Sequence, residues 1–240
     1  MIIRVIWTAA LAAVAFVTAQ LQFDRQVLRD PEVASWVIPP LRGNAQAETV
    51  LAALKGNDPR AALNEARVLV RRRPVPAENL TLLAQAYVKA GAPEKAAVTI
   101  QIAAQRGWRE PVAQEAITRL AIDAGDLAEA SRRFTAMMVL GVLSDDEMNA
   151  LAQEIFVADD RAGYDTLIEI VGGTDRWGRL FLDRGPKVMP PSSFAEVIVS
   201  ATRQGVRFDC ARLEHSRRTI ERRDPAAGSA LKAVEPAHCP

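Results

Sequence analysis

Two cysteines, two histidines and a few clusters of charge are the residues of this chain whose types could do chemistry. Cys210 and Cys239 are the only cysteines, and both lie near the carboxyl end. In an oxidising compartment their simplest chemistry is a local disulfide tying the carboxyl terminus to the preceding helix. Closing a loop of about 30 residues would stabilise the fold by roughly 3–4 kcal/mol in the chain-entropy model. A metal centre would need more ligands than His215 and His238, and no CxxC or HxxxH spacing occurs, so neither metal nor redox centre is expected. His215 stands among Arg212, Glu214, Arg217 and Arg218, the setting of a solvated helix face. Asp145-Asp146 and Asp159-Asp160 fall where helix amino termini favour negative charge. There is no GxSxG elbow, Walker loop, HExxH motif or dinucleotide fingerprint, and Gly172-Gly173 reads as a helix stop. The chain is therefore expected to be non-enzymatic, with no cofactor.

Two basic clusters remain. Arg71-Arg72-Arg73 ends a helical segment, where cations complement the helix dipole. The last helix sets Arg212, Arg217, Arg218, Arg222 and Arg223 against Glu214 and Glu221. Arg217 and Arg218 could hold an anionic polysaccharide or lipid headgroups. A solvated, partly paired face is the commoner outcome of such a pattern. The formal net charge of the 240 residues is only +1, which argues against a nucleic-acid partner.

These residues must be positioned by helices. Apolar residues make up 49% of the chain and charged residues 25%, too apolar for disorder, and aromatics only 5%, which with abundant alanine points to closely packed helices. Met1 to Ala19 is apolar except for Arg4, Thr8 and Thr18, and Val5–Phe23 is close to the ~20 residues of a spanning helix. An uncleaved anchor is favoured over a signal peptide cleaved after Ala19, because no polar stretch precedes that site. Arg4 and the amino group lie before the segment, and a slightly acidic flank (Asp24, Arg25, Arg29, Asp30, Glu32) follows it. The expected location is the inner membrane, single-pass, with the bulk of the chain exported to the periplasm.

The middle of the chain repeats. Gly56, Gly91 and Gly125 are 35 and 34 residues apart, and each is followed five positions later by alanine: Ala61, Ala96 and Ala130. Glycine would end a first helix in the left-handed conformation, and alanine would let the second approach closely. Leu80, Leu83, Ala84, Tyr87 and Val88 form a stripe before Gly91, with Ala96, Ile100 and Ala103 after it. Ala113, Ile117, Leu120 and Ala121 precede Gly125, and Leu127, Ala130, Phe134 and Met137 follow. Helices alternating with short turns predict the antiparallel pairs of an α-solenoid.

On these residues the chain resembles the tetratricopeptide repeat family over about residues 42–144. The best unit, about Ala77 to Glu110, carries Leu83, Ala84, Tyr87, Gly91, Ala96 and Ala103 at the family's consensus positions. The next, about Pro111 to Ser144, keeps Gly125, Ala130 and Phe134 but departs at Thr118, Ala121 and Met137. The first, about Arg42 to Pro74, matches only at Gly56 and Ala61-Ala62, with Pro59 suggesting a one-residue insertion. The resemblance implies a fold and a binding habit, not a reaction. Its ligand contacts would come from the inner faces of first helices, with Asn79, Gln85, Lys89, Gln114 and Arg119 as candidate exposed positions.

Beyond the repeats, Ser144 and Glu147 have capping-box spacing and open a helix with Met148, Leu151, Ala152, Ile155 and Phe156 on one side. A second helix is expected over about 159–171. Residues 174–191, with Gly178, Gly185, Pro186, Pro190 and Pro191, read as an ordered loop pinned by Trp177, Leu180 and Phe181. A second capping box at Ser193 and Glu196 would start a helix ended by Gly205, and Asp209 would cap the last substantial helix, 210–223. The expected layout is all-α: a signal anchor or signal peptide (1–23), a juxtamembrane connector (24–44), helical repeats (45–143) and a helical carboxyl-terminal module (144–240). Within the connector, Val33, Trp36, Val37 and Ile38 could lie at the membrane surface. Docking on the first repeat is preferred, since the stripe is some ten residues beyond the bilayer. The function expected is a membrane-anchored scaffold or adaptor holding a protein or peptide partner in the cell envelope. The rivals are an accessory subunit for anionic polysaccharide or lipid and, further off, a hydrolase with an unfamiliar site.

Overall fold

The computed structural model describes residues 2–238 apart from 142 and 158, with side chains as far as 233. The fold is all-α, and no strand occurs among the described residues. The chain divides into two compact units, Met1–Glu110 and Pro111–Pro240.

The first unit begins with α1 (Ile2–Gln26), whose side chains are exposed from Ile2 to Ala19. Two 3₁₀ turns follow, Pro31–Trp36 and Pro39–Leu41, and then α2 (Asn44–Lys55), α3 (Pro59–Arg72), α4 (Ala77–Lys89) and α5 (Pro93–Arg106). Helices α2 and α3 form one hairpin and α4 and α5 another, and α4 packs against both α2 and α3. Their shared core holds Val50, Ala62, Ala66, Leu69, Leu83 and Ala86, with Tyr87 partly buried against it. Ala62, not Ala61, is the fully buried alanine after the first turn, as the one-residue insertion at Pro59 requires.

The repeat glycines divide. Gly91 and Gly125 have φ of +70° and +73°, so each ends its helix in the left-handed region. The amide of the residue after each glycine closes the turn, Ala92 N–H to the Tyr87 carbonyl at 2.9 Å and Asp126 N–H to the Ala121 carbonyl at 2.8 Å. Gly56 departs from expectation: its φ is −71°, so no left-handed residue is needed there. Its turn is set by Asp58, whose carboxylate accepts from the Arg60 and Ala61 amides at the start of α3.

The second unit opens with the hairpin of α6 (Pro111–Asp123) and α7 (Leu127–Leu140), followed by α8 (Asp145–Ile155) and α9 (Ala162–Gly173). Helices α10 (Asp175–Val188), α11 (Pro191–Arg203), α12 (Cys210–Arg223) and α13 (Pro225–His238) complete it. Helix α7 packs on α8 and α9, so Phe134, Met137 and Met138 share one core with Met148, Leu151, Phe181 and Phe194. That shared core is why the chain divides at 110/111 and not after the last hairpin. The capping box at Ser144 and Glu147 forms in full, with the Ser144 amide donating to the Glu147 carboxylate at 2.9 Å. These bonds from the Ser144 hydroxyl and amide hold the Glu147 carboxyl below its ordinary range.

Three local expectations change. Residues 175–188 are helix, not loop, because the glycines that suggested a loop occupy buried helical positions. A Cβ at Gly185 would stand 2.8 Å from the Phe194 ring, so only glycine lets α10 lie this close to α11. Pro186, inside α10, has no amide to offer the Leu182 carbonyl, and the Ser216 hydroxyl of α12 lies 2.8 Å from that oxygen instead. Second, Ser193 is not a cap: α11 starts at Pro191, and Ser193 Oγ is buried 3.1 Å from the Tyr164 hydroxyl. Third, α13 is an additional helix, with Asp224 accepting from the Ala226 and Ala227 amides and Pro225 in its first turn.

Candidate functional site

The five positions proposed for ligand contact do not share one environment. Asn79 on α4 is buried, and its side-chain amide donates to the Arg73 carbonyl at 2.8 Å, closing the end of α3. Gln114 on α6 is fully buried, with its Oε1 accepting from Arg133 at 3.2 Å. Neither is an exposed contact residue. Lys89 is half-buried, and its ammonium donates to the Leu54 and Gly56 carbonyls, satisfying the carboxyl end of α2. Arg119 is exposed and paired with Glu115 one turn away at 2.9 Å. Gln85 remains exposed on α4 without such an engagement.

The exposed apolar surface of the α4–α5 hairpin is more open than those polar positions. Val88, one turn after Gln85, is 64% exposed and Val98 on α5 is 59% exposed. A shallow cleft of about 340 Å³ is lined by Tyr87, Glu94, Lys95, Val98 and Thr99. It offers an aromatic edge, a valine and one charge of each sign, the ingredients of peptide contact without a reactive group.

The basic helix α12 is largely neutralised. Arg217 is nearly buried between Glu214 and Glu221, each at 2.7 Å. The hydrogen bonds that Arg217 donates to the Glu214 carboxylate lead in holding its guanidinium above the ordinary arginine range. Arg218 also reaches Glu214, and Arg212 meets Asp183 at 2.5 Å. Arg223 caps α10 by donating to the Pro186 and Met189 carbonyls. Arg212 and Arg223 thus tie α12 to α10, while Arg217 and Arg218 are paired within α12 itself. In α3, Arg72 similarly donates to the Pro39 carbonyl at 2.8 Å and to Gln46 at 3.1 Å.

A second cleft, of about 460 Å³, lies in the second unit between the α9–α10 and α11–α12 turns. Asp175, Arg179, Arg207 and Asp209 give it balanced charge, and Asp209 already caps α12 through the Arg212 amide at 2.9 Å. No group of three or more His, Cys, Asp or Glu side chains that could hold a metal occurs among the described residues. Cys210 begins α12, while Cys239 lies outside the described residues, as does any pairing between them.

The arrangement that the sequence did not reveal is at the foot of the first unit. Gly43, at the amino end of α2, has no side chain with which to cap that helix. Asp24, from the last turns of α1, does so from a distance. Its carboxylate accepts from the amides of Gly43 at 2.8 Å, Asn44 at 2.9 Å and Ala45 at 2.9 Å, and from the Asn44 side chain at 3.2 Å. A Cβ at residue 43 would stand 2.8 Å from the Asp24 Oδ2, so glycine is what admits the carboxylate. One turn earlier, buried Gln20 accepts from the Ile38 amide at 2.8 Å. Val27, Val33, Val37 and Ala45 close the joint with Phe23 against it, so the connector's valines dock as expected. In sequence, Asp24 reads as an ordinary flanking charge, and no local pattern pairs it with a glycine 19 residues on.

No family model, curated protein or solved structure matches the chain.

Proposed function

We propose that this chain is a membrane-anchored scaffold of tetratricopeptide-like hairpins that presents its first helical unit to a protein or peptide partner in the cell envelope. The observation that carries the reading is the joint just described. An apolar helix long enough to cross a bilayer runs without interruption into a clamp on the first unit through Gln20 and Asp24. A signal peptide has no use for such a joint. Cleavage after Ala19 would also free the helical amides of residues 20–23 beside the buried Gln20.

The partner-facing surface in this reading is the α4–α5 hairpin, with Gln85, Val88 and the cleft beside Tyr87 and Val98 as contacts. The glycine turns at Gly91 and Gly125 and the buried Ala62, Ala96 and Ala130 support the tetratricopeptide likeness. The charge argument for export loses its force once only side-chain cations are counted, since Arg4 precedes the span and Arg25 and Arg29 follow it. The exported orientation rests on the Cys210 and Cys239 pair, proposed as a disulfide of an oxidising compartment. The polysaccharide or lipid alternative through Arg217 and Arg218 has less behind it, because Glu214 and Glu221 already hold the first of these.

The test is photocrosslinking in intact cells with a photoreactive residue at 85, 88 or 98, against exposed control positions 132 and 222. A discrete adduct at the first three positions and none at the controls supports the reading. Equal or absent adducts at all five would overturn it. Alkylation of the folded protein before and after reduction reads the cysteines, and two thiols reactive without reductant would remove the disulfide.

A further inference from the structure

The connector does not lead away from the membrane-spanning helix; it doubles back along it. Val33 packs in one cluster with Val27, the Trp36 ring meets Phe23 edge-on at 5.6 Å between centroids, and the Ile38 amide binds Gln20. Successive connector residues thus stand beside successively earlier residues of α1. The segment ten residues downstream in sequence returns to the level at which the exposed apolar stretch of α1 ends.

The heights can be worked out. The exposed apolar stretch ends where Gln20 is buried, which moves the span from the Val5–Phe23 of the sequence pattern to Ile2–Ala19. That stretch covers about 27 Å at ~1.5 Å per residue, close to the ~30 Å hydrocarbon core. A bilayer around this stretch therefore has its hydrocarbon edge near Gln20, the level of Ile38. Phe23 stands about 4.5 Å higher along the helix. The headgroup layer is about 5–7 Å deep on each side. Phe23 and its ring partner Trp36 thus fall inside that layer.

Trp36 is 62% exposed and Ile38 is 38% exposed, and Pro39 and Pro40 beside them are exposed as well. No hydrogen-bond donor in the Pro39-Pro40 backbone needs water, since proline has no amide hydrogen. The Ile38 amide is already satisfied by Gln20, and the Val37 carbonyl accepts from Arg42 at 2.8 Å. The turn therefore presents an apolar surface whose flanking backbone polar groups are occupied, a chemistry suited to the headgroup boundary.

We infer that the 36–40 turn is a membrane footing: Trp36, Ile38 and the two prolines rest in the headgroup layer of the bilayer that α1 crosses, and so hold the first helical unit against the lipid surface. The occupant of this patch is phospholipid, because the patch is continuous with the exposed apolar surface of α1. The inference rests on the reading of α1 as a membrane span, and the experiment separates the two.

Full-length protein is placed in nanodiscs of phosphatidylethanolamine and phosphatidylglycerol carrying bromine at shallow or deep acyl positions. Two single-tryptophan forms are compared, one keeping Trp36 and one keeping Trp7, with the other tryptophans changed to phenylalanine. Trp7 quenched by brominated lipid reports that α1 is inserted. The expected result for Trp36 is emission to the blue of tryptophan in water, with quenching about twofold stronger from shallow than from deep bromine, as for an interfacial aromatic belt. Trp36 emission as in water, open to iodide and untouched by bromine while Trp7 is quenched, would overturn the footing and leave the anchor standing. Blue emission without lipid quenching would mean that protein covers Trp36, which also overturns it. Trp7 untouched by lipid would defeat the span and the footing together. If the multiple substitutions unfold the helices by circular dichroism, Trp36→Phe alone is compared with the parent. Loss of the shallow-quenched emission component is then the expected result, and an unchanged quenching profile refutes the footing.

Discussion

Asp24→Ala is the perturbation that most directly tests how α1 is joined to the rest of the first unit. The carboxylate is 8% exposed and accepts four hydrogen bonds, three of them from the first amides of α2. Removing an ordinary cap costs about 0.5–2 kcal/mol, and hydrogen bonds to a charged group contribute about 1.5–3 kcal/mol each. The four bonds are not additive, and water can reach the half-buried Gly43 and Asn44 amides once the carboxylate has gone. The cost should therefore be about 2–3 kcal/mol, concentrated at the start of α2. At 1.4 kcal/mol per decade, amides of the first turns of α2 should exchange about 30- to 150-fold faster. Those of α12, in the other unit, should not change. Hydrogen exchange read by mass spectrometry on the nanodisc-embedded protein measures this directly. Asp24→Asn keeps an acceptor oxygen and should lose roughly half as much free energy. Gly43→Ala, which drives a Cβ to within 2.8 Å of the carboxylate, should open the same amides as Asp24→Ala does. If exchange in α2 is unchanged in Asp24→Ala, the remote cap is not holding the helix and the rigid joint is wrong.

Three further outcomes follow from the same geometry. Gly91→Ala should destabilise by about 1 kcal/mol purely through its left-handed backbone, since a Cβ there meets open space, whereas Gly56→Ala should be neutral within about 0.5 kcal/mol; urea melts of both would separate the two kinds of repeat glycine. Ser216→Ala should cost about 1–2 kcal/mol by orphaning the Leu182 carbonyl, and less in a Pro186→Ala background where an amide is restored; a double-mutant cycle showing no coupling would reject the substitution of hydroxyl for amide. Burial opposes ionisation of Glu129, but the hydrogen bonds and charges of Arg133 and Arg132 outweigh it, so its carboxyl lies below the ordinary value of 4.5. The sign is then that of a depressed acid: its stabilisation is complete above about 4.5 and fades as pH falls through the lower folded value. Glu129→Gln should remove up to about 1 kcal/mol at neutral pH and flatten the acid limb of the stability curve below 4.5. An unchanged acid limb in the variant would refute that assignment.

What could be read along the chain is what depends on residues within a turn of one another. The apolar run of α1, the stripes at helical spacing and the Ser144–Glu147 capping box are properties of neighbouring residues, and the structure keeps them. Gly91 and Gly125 were legible for the same reason, because a left-handed helix end is a local steric demand that glycine alone meets without strain. The reading of residues 174–191 failed where glycine has a second use. Gly185 gives α10 room to approach α11, a demand visible only once that helix is in place.

The candidate site was less legible than the fold. Asn79, Gln114 and Lys89 look like groove residues in a linear pattern, yet each satisfies backbone or side-chain partners across a helix contact. A polar side chain on an amphipathic helix has the same local signature whether it meets water, a ligand or a remote carbonyl. Most of the helices, the left-handed turns at Gly91 and Gly125 and an amino-terminal helix apolar enough to cross a bilayer were therefore legible in the amino-acid order alone, since short-range sterics and periodic burial suffice for them. Tertiary packing alone decided that Asp24 caps a distant helix, that Arg212 and Arg223 of α12 hold α10, and that Trp36 returns beside Phe23 of α1, because long-range hydrogen bonds and chain reversal depend on which faces meet.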